Sequence, residues 1–205
     1  MNREERIRNA IKPFVPTGSE SSLAEKIVAY RCHLTITKDR KTKAGDYRHP
    51  YGKIGHRISV NGSLNTYAFL ITLVHEMAHL VNWERHGRRV NPHGKEWKLA
   101  FQELMLEYLS AEIFPQDILS VLSLHMKNPK SATVRDLELM RVLRSYDKNS
   151  DSVLLEDLSE GNEFNLGKRT FKKGEKLRKR YRCEEIKSGK IYLVSAIAEV
   201  VPATL

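Results

Sequence analysis

The sequence predicts an α+β fold followed by a small basic, β-rich module. Three observations carry this. Apolar residues recur at three- and four-residue spacings after Asn65 and again from Glu96, as buried helix faces require. Two short stretches, "CHLTITK" and "HRISVNG", alternate polar and β-favouring residues, as half-buried strands do. Beyond residue 163 the composition turns basic and then strand-like.

With 205 residues, the chain is long enough for one well-buried domain and a small appendage. Its formal charge of +10 favours acidic partners, nucleic acid first among them, and says nothing about fold. The start "MNREERIRNA" has no apolar core of a secretory signal. The most apolar run, "YAFLITLV" into "HEMAHLV", is too short and interrupted to span a bilayer, so no membrane partner is expected. Cys32 and Cys183 alone make neither a disulfide framework nor a cysteine zinc ribbon, which suits a reducing, cytoplasmic setting.

Taken in order, a first helix is expected over residues 2–12, stopping before Pro13. "PTGSESSLAEKIVAY" reads as a turn and a serine-capped helix. The two strands follow, with "DRKTKAGDYRHPYGKIG" between them as an irregular hairpin connection. Asn65 or Thr66 caps the next helix, whose Leu70, Leu73, Val74, Met77 and Val81 form a buried stripe and which Gly87 stops. "VNPHG" is a turn. From Glu96 comes a helix with Leu99, Phe101, Leu104, Met105 and Leu109 as apolar candidates, interrupted by Pro115, after which "PQDILSVLSLHM" resumes helical structure. "TVRDLELMRVLRSY" reads as one more helix, with Thr133 and Asp136 placed like a capping box. The domain is expected to end at residue 146. Residues 147–163 are acidic and read as a linker, and residues 164–205 as a three- or four-stranded basic module with "SGK" as a hairpin turn.

The chemistry concentrates in "LVHEMAHLVNWERHGRRVNPHGKEW", Leu73 to Trp97. On a helix, His75 and His79 stand one turn apart on nearly the same face and can point at one ion. Glu76 lies about 100° round from His75, placed to reach a water on that ion instead of ligating it. A catalytic zinc usually takes three protein ligands. His86 shares the face but lies about 10 Å along the axis, too far to converge. Glu96, Glu103 or Glu107 would complete a two-His, one-carboxylate site. His93 is better placed, because the "NPHG" turn folds the chain back and Gly94 gives the backbone room. Two histidines and a glutamate inside so apolar a helix are costly to bury without a purpose.

These residues resemble the SprT-like zinc metallopeptidases, whose hallmark is HExxH, a loop and then H-G-x-x-W. Here the elements are His75, Glu76 and His79, then His93, Gly94 and Trp97. The resemblance covers roughly residues 20–110. It implies a zincin-like metalloprotease domain carrying the HExxH active-site helix, with zinc on His75, His79 and His93, and with Glu76 as general base for peptide hydrolysis. Many relatives have a proline where this chain has Lys95, and many carry a cysteine-rich zinc ribbon that Cys183 alone cannot build. Tyr47, Arg48, His49 and Tyr51 are candidates for a second oxyanion donor. Trp97 is read as packing beneath the site, and His33, His49, His56 and His125 as histidines without partner spacing.

In "EKLRKRYRCEE", strand alternation sets Arg178, Arg180 and Arg182 on one face, opposite Leu177, Tyr181 and Cys183. With Lys172 and Lys173 nearby, the stripe suits a phosphate backbone. It reads equally as a site for RNA or for the acidic segment. Spartan-type relatives digest proteins crosslinked to DNA, so the resemblance implies protein substrates near single-stranded or damaged DNA and a nucleoid-associated place in the cytoplasm. The competing reading is a non-proteolytic nucleic-acid-binding protein with a structural zinc.

Overall fold

The computed structural model of the chain describes residues 1–38, 43–131, 136–147 and 152–203. These form two compact units, Met1–Asp147 and Lys148–Leu205, and the class is α+β, with six helices and two sheets. No described helix is long and apolar enough to cross a membrane.

The first unit opens with helix α1 (Arg3–Ile11), closed at its start by a capping box between Asn2 and Glu5. Pro13 ends it in a single 3₁₀ turn, since proline cannot supply the next helical N–H. Helix α2 (Glu20–Ala29) buries Leu23, Ala24 and Ile27. The Ser19 hydroxyl donates to the Pro16 carbonyl instead of capping this helix.

Strands β1 (His33–Thr37), β2 (Gly45–Arg48) and β3 (Arg57–Asn61) make a sheet in the order β1-β3-β2. β1 and β3 run parallel, and β2 pairs antiparallel to β3. The expected hairpin between β1 and β3 is therefore replaced by a crossover that contains a strand of its own. β2 is four residues long and flanked by turn formers, too short to show an alternating pattern. It is also an edge strand, with one side of its backbone left unpaired within the sheet.

Helix α3 (Thr66–His86) packs on β2 and β3, and α4 (Lys95–Leu106) packs on α3. The Asn65 side chain accepts from the Ala68 amide at the start of α3, and Gly87 closes the helix. Buried residues lie all round it, Phe69, Leu70, Leu73, Met77 and Leu80 among them, as expected of a central helix. Helices α5 (Gln116–Lys127) and α6 (Leu137–Arg144) pack together over Ile118, Leu122, Leu139 and Leu143. Leu99, an expected core residue of α4, is 54% exposed. Thr133 lies outside the described residues, and Asp136 makes no side-chain cap bond to α6.

The second unit is a six-stranded antiparallel sheet built from β4 (Val153–Leu154), β5 (Glu163–Leu166), β6 (Arg169–Lys176), β7 (Arg180–Glu185), β8 (Ile191–Ser195) and β9 (Glu199–Pro202). Its order is β4-β9-β5-β6-β7-β8. Leu155, Phe164, Phe171, Cys183 and Val200 fill its core. The acidic segment expected to be a linker belongs, from Val153 onward, to this unit. β4 pairs with β9, the Leu155 amide donates to the Ala198 carbonyl, and Leu155 is fully buried. Three apolar residues in a row, Val153 to Leu155, outweigh the acidic neighbours, whose side chains need only stay in water.

The basic stripe needs two corrections. Arg180 and Arg182 are exposed and alternate with buried Tyr181 and Cys183, but β7 starts only at Arg180. Arg178 lies in the β6–β7 connection, and Leu177 is 42% exposed. Lys173 is 4% exposed and its ammonium donates to the carbonyls of Glu156 and Leu158, 4.0 Å from the Tyr181 ring centroid. Neighbours in a strand face opposite ways, so Lys172 points out where Lys173 points in, and Lys173 is not available to a phosphate.

Candidate metal centre

Helix α3 sets His75 and His79 one turn apart, and a tight turn brings a third imidazole to them. Asn91, Pro92, His93 and Gly94 form that turn, with the Gly94 amide donating to the Asn91 carbonyl at 3.0 Å. Proline at the second position presets the bend. Helix α4 starts directly after Gly94, so the His93 position is held from both sides.

One ligand atom from each of His75, His79 and His93 lies within 4.8 Å of the others, a group that could hold a metal ion. The ring centroids are 4.6 Å (His79–His93), 5.1 Å (His75–His79) and 5.4 Å (His75–His93) apart. Trp97, fully buried, lies beneath all three, with its ring centroid 4.7 Å from His75 and 4.8 Å from His93. His86, the last residue of α3, is exposed and outside the cluster. Of the alternative carboxylates, Glu103 pairs with Arg85 and Glu107 with Lys26 and Ser22, and Glu96 is not in the cluster.

The electrostatics fit a metal. Burial pushes His75 down to about 3, helped by the nearby charges of His79, His93 and His125. Burial and then His93 push His79 down to about 4. At neutral pH these two rings are uncharged and keep lone pairs for coordination. A sulfur-free imidazole set suits zinc and its neighbouring transition metals.

Glu76 is 7% exposed and lines, with His75, His79, His93, Gly45 and Tyr47, a cleft of about 670 Å³. Edge strand β2 comes so close at Gly45 that a Cβ there would lie 2.6 Å from Glu76 Oε1 and 2.7 Å from Thr72 Cγ2. Only a residue without a side chain lets this strand border the carboxylate. Of the four candidates around β2, Tyr47 and His49 line the cleft. Arg48 turns to Asp46 at 3.0 Å, and Tyr51 is 74% exposed.

Sequence reasoning missed Gly45, Asn82 and Trp83, which all line the cleft. Asn82 is 5% exposed and its Oδ1 has no hydrogen-bond partner. It had a legible signal, being a polar residue three positions past His79 in an otherwise apolar helix. Trp83 stacks on the His49 ring at 4.2 Å, and the Arg88 guanidinium lies over the Trp83 ring at 5.7 Å, a grouping that exists only in three dimensions.

Residues 20–114 match the model of the SprT-like family. Protein SprT from Shigella dysenteriae serotype 1 (strain Sd197) is similar to the chain, 32% identical over 104 residues, which are 49% of this chain and 62% of that protein. The chain thus spans less than two thirds of the length of this curated relative. No solved structure matches the chain.

Proposed function

We propose, from the match of residues 20–114 to the SprT-like family, that the chain is a zinc-dependent endopeptidase with a zincin-like first unit, acting on proteins associated with or crosslinked to DNA. The observation that carries the reading is the gathering of three imidazoles beside a buried carboxylate in one open cleft. His75, His79 and His93 would hold the metal. A zinc bound there supplies a Lewis acid that polarises a peptide carbonyl and acidifies water.

The chain's own groups do the rest. Glu76 takes the proton of the attacking water on a carboxylate oxygen and passes it to the nitrogen of the leaving amine. Trp97, packed against all three imidazoles, holds their ring planes and leaves little reorganisation to the reaction. Gly45 lets the β2 backbone close one side of the carboxylate.

The nucleic-acid part of the reading rests on charge. The chain carries +10, and Lys172, Arg178, Arg180 and Arg182 are exposed. Such a surface engages phosphates without reading bases, so DNA binding weakens steeply with salt.

The test measures zinc content and casein-type proteolysis, with and without single-stranded DNA, on the wild type and on Glu76→Gln. Stoichiometric zinc in both proteins, with cleavage lost by about a hundredfold or more in the variant, is expected, together with stimulation by DNA. Stoichiometric zinc without cleavage in either condition would replace the peptidase with a nucleic-acid-binding protein whose zinc is structural.

A further inference from the structure

Beside the three histidines lies a second constellation that the proposed chemistry does not use. The Tyr47 hydroxyl is 2.9 Å from Nδ1 of His56, and Nε2 of His56 is 2.9 Å from Oε1 of Glu84. Three elements meet to make this row: Tyr47 on β2, His56 immediately before β3, and Glu84 in the last turns of α3. His56 is 7% exposed, whereas the Glu84 side chain is 52% exposed. Tyr47 stands at the other end, lining the cleft. Its ring is stacked on His79, with centroids 6.2 Å apart and planes 7° from parallel.

The direction of the row follows from what each group can donate. An ionised carboxylate only accepts, so Nε2 of His56 carries the proton shared with Glu84. A neutral imidazole has a single N–H, which leaves Nδ1 as a lone pair. The Tyr47 hydroxyl therefore donates to Nδ1. A phenol has one proton, and here it is spent on His56. What its oxygen still offers is lone pairs. A tyrosine without such a row behind it would be free to donate to a carbonyl oxygen.

We propose that Glu84, acting through His56, fixes Tyr47 as a hydrogen-bond acceptor on the cleft wall, where it takes an N–H of the bound polypeptide. The polypeptide half rests on the peptidase reading above; the polarity of the row does not. Glu84 and His56 are positioning residues, and Tyr47 is the group that touches substrate. The second oxyanion donor must then come from elsewhere in the cleft.

The experiment has two arms on the zinc-loaded full chain. The first records ¹⁵N NMR of His56 at mildly alkaline pH, where a pyridine-type Nδ1 and a pyrrole-type Nε2 are expected, giving way to mixed tautomers in Glu84→Ala. The opposite tautomer, or an imidazolium, overturns the row. The second arm follows casein cleavage. Tyr47→Phe should raise KM about fivefold, the worth of one neutral hydrogen bond, with kcat near the wild-type value and zinc content intact. Glu84→Ala should shift KM the same way although Glu84 does not line the cleft, and Glu84→Gln, which keeps a carbonyl acceptor, should shift it less. A fall in kcat at unchanged KM in Tyr47→Phe would make the phenol an oxyanion donor and sink the proposal. An inactive wild type with the expected tautomer would refute the peptide contact together with the peptidase. An active wild type with the wrong tautomer would refute the row alone.

Discussion

Lys173 in the second unit and the cluster around Glu76 in the first bury ionisable side chains in opposite ways. In the second, the Lys173 ammonium is taken up by two backbone carbonyls and a tyrosine ring of its own unit. In the first, Glu76 and three imidazoles collect along one open cleft. A buried charge whose partners are all internal is part of the scaffold, because its desolvation is offset within the fold. Ionisable groups that crowd a cleft wall, as His75 and His79 do, where burial first and neighbouring imidazoles second disfavour the charged form, keep their lone pairs for a ligand. Among the described residues both units hold buried titratable groups, and the first presents a set of them along a cleft.

The sharpest way to break this contrast is to remove one member of the cluster. His93→Ala should lower zinc affinity by more than about a hundredfold, since losing a ligand exceeds the tenfold to hundredfold cost of losing a neighbour that merely orients one. His86→Ala should leave metal content unchanged, and atomic absorption on both variants reads the difference. Retained zinc in His93→Ala would mean that the three imidazoles do not act together.

Next in size is Gly45→Ala. The added methyl would meet Glu76 Oε1 at 2.6 Å, so the carboxylate or the strand must move. Casein cleavage should fall by about tenfold to a hundredfold, in line with the loss of a correctly placed base, while zinc content stays at the wild-type value. Unchanged cleavage would show that the Glu76 position tolerates displacement.

On the second unit the same logic predicts a loss of stability and not of chemistry. Lys173→Met keeps the length of the stem but removes the donor to the Leu158 carbonyl, and should cost about 1–3 kcal/mol. Urea denaturation of the full chain measures it, with cleavage per folded molecule unaltered. A variant as stable as the wild type would make Lys173 an ordinary strand residue.

The smallest effect belongs to Asp136 in the first unit. Burial works to raise its pKa, but hydrogen bonds from His125 and Lys130 outweigh it and hold the carboxyl below its usual range. A group depressed on folding contributes stability above its unfolded pKa of about 3.9 and loses it as the pH falls through the folded value. Asp136→Asn should therefore be less stable than the wild type at neutral pH, with the gap between their urea midpoints closing below about pH 4. A gap independent of pH would mean that the side chain matters for its shape alone.

What was legible in the chain is what depends on near neighbours. Leu70, Leu73, Val74, Met77 and Val81 mark one buried helix because 3.6 residues complete a turn. His75 and His79 share a face for the same reason, and "NPHG" is a turn because proline and glycine restrict the backbone locally. Those rules suffice for α3, for the α+β class and for the three residues of the cluster. They fail for β2, whose pairing with β3 lies with a strand nine residues further on, and for Val153–Leu155, whose partners are on β9.

The sequence by itself therefore determined the helices, the turn that carries His93 and the three imidazoles that could hold a metal. Only the tertiary structure decided that β1 and β3 run parallel, that Gly45 borders Glu76, that Lys173 is sealed inside, and that Tyr47, His56 and Glu84 stand in a row. Each of these depends on which distant surfaces meet. That choice is made by the burial of a whole core and by long-range pairing, and no short window of residues records it.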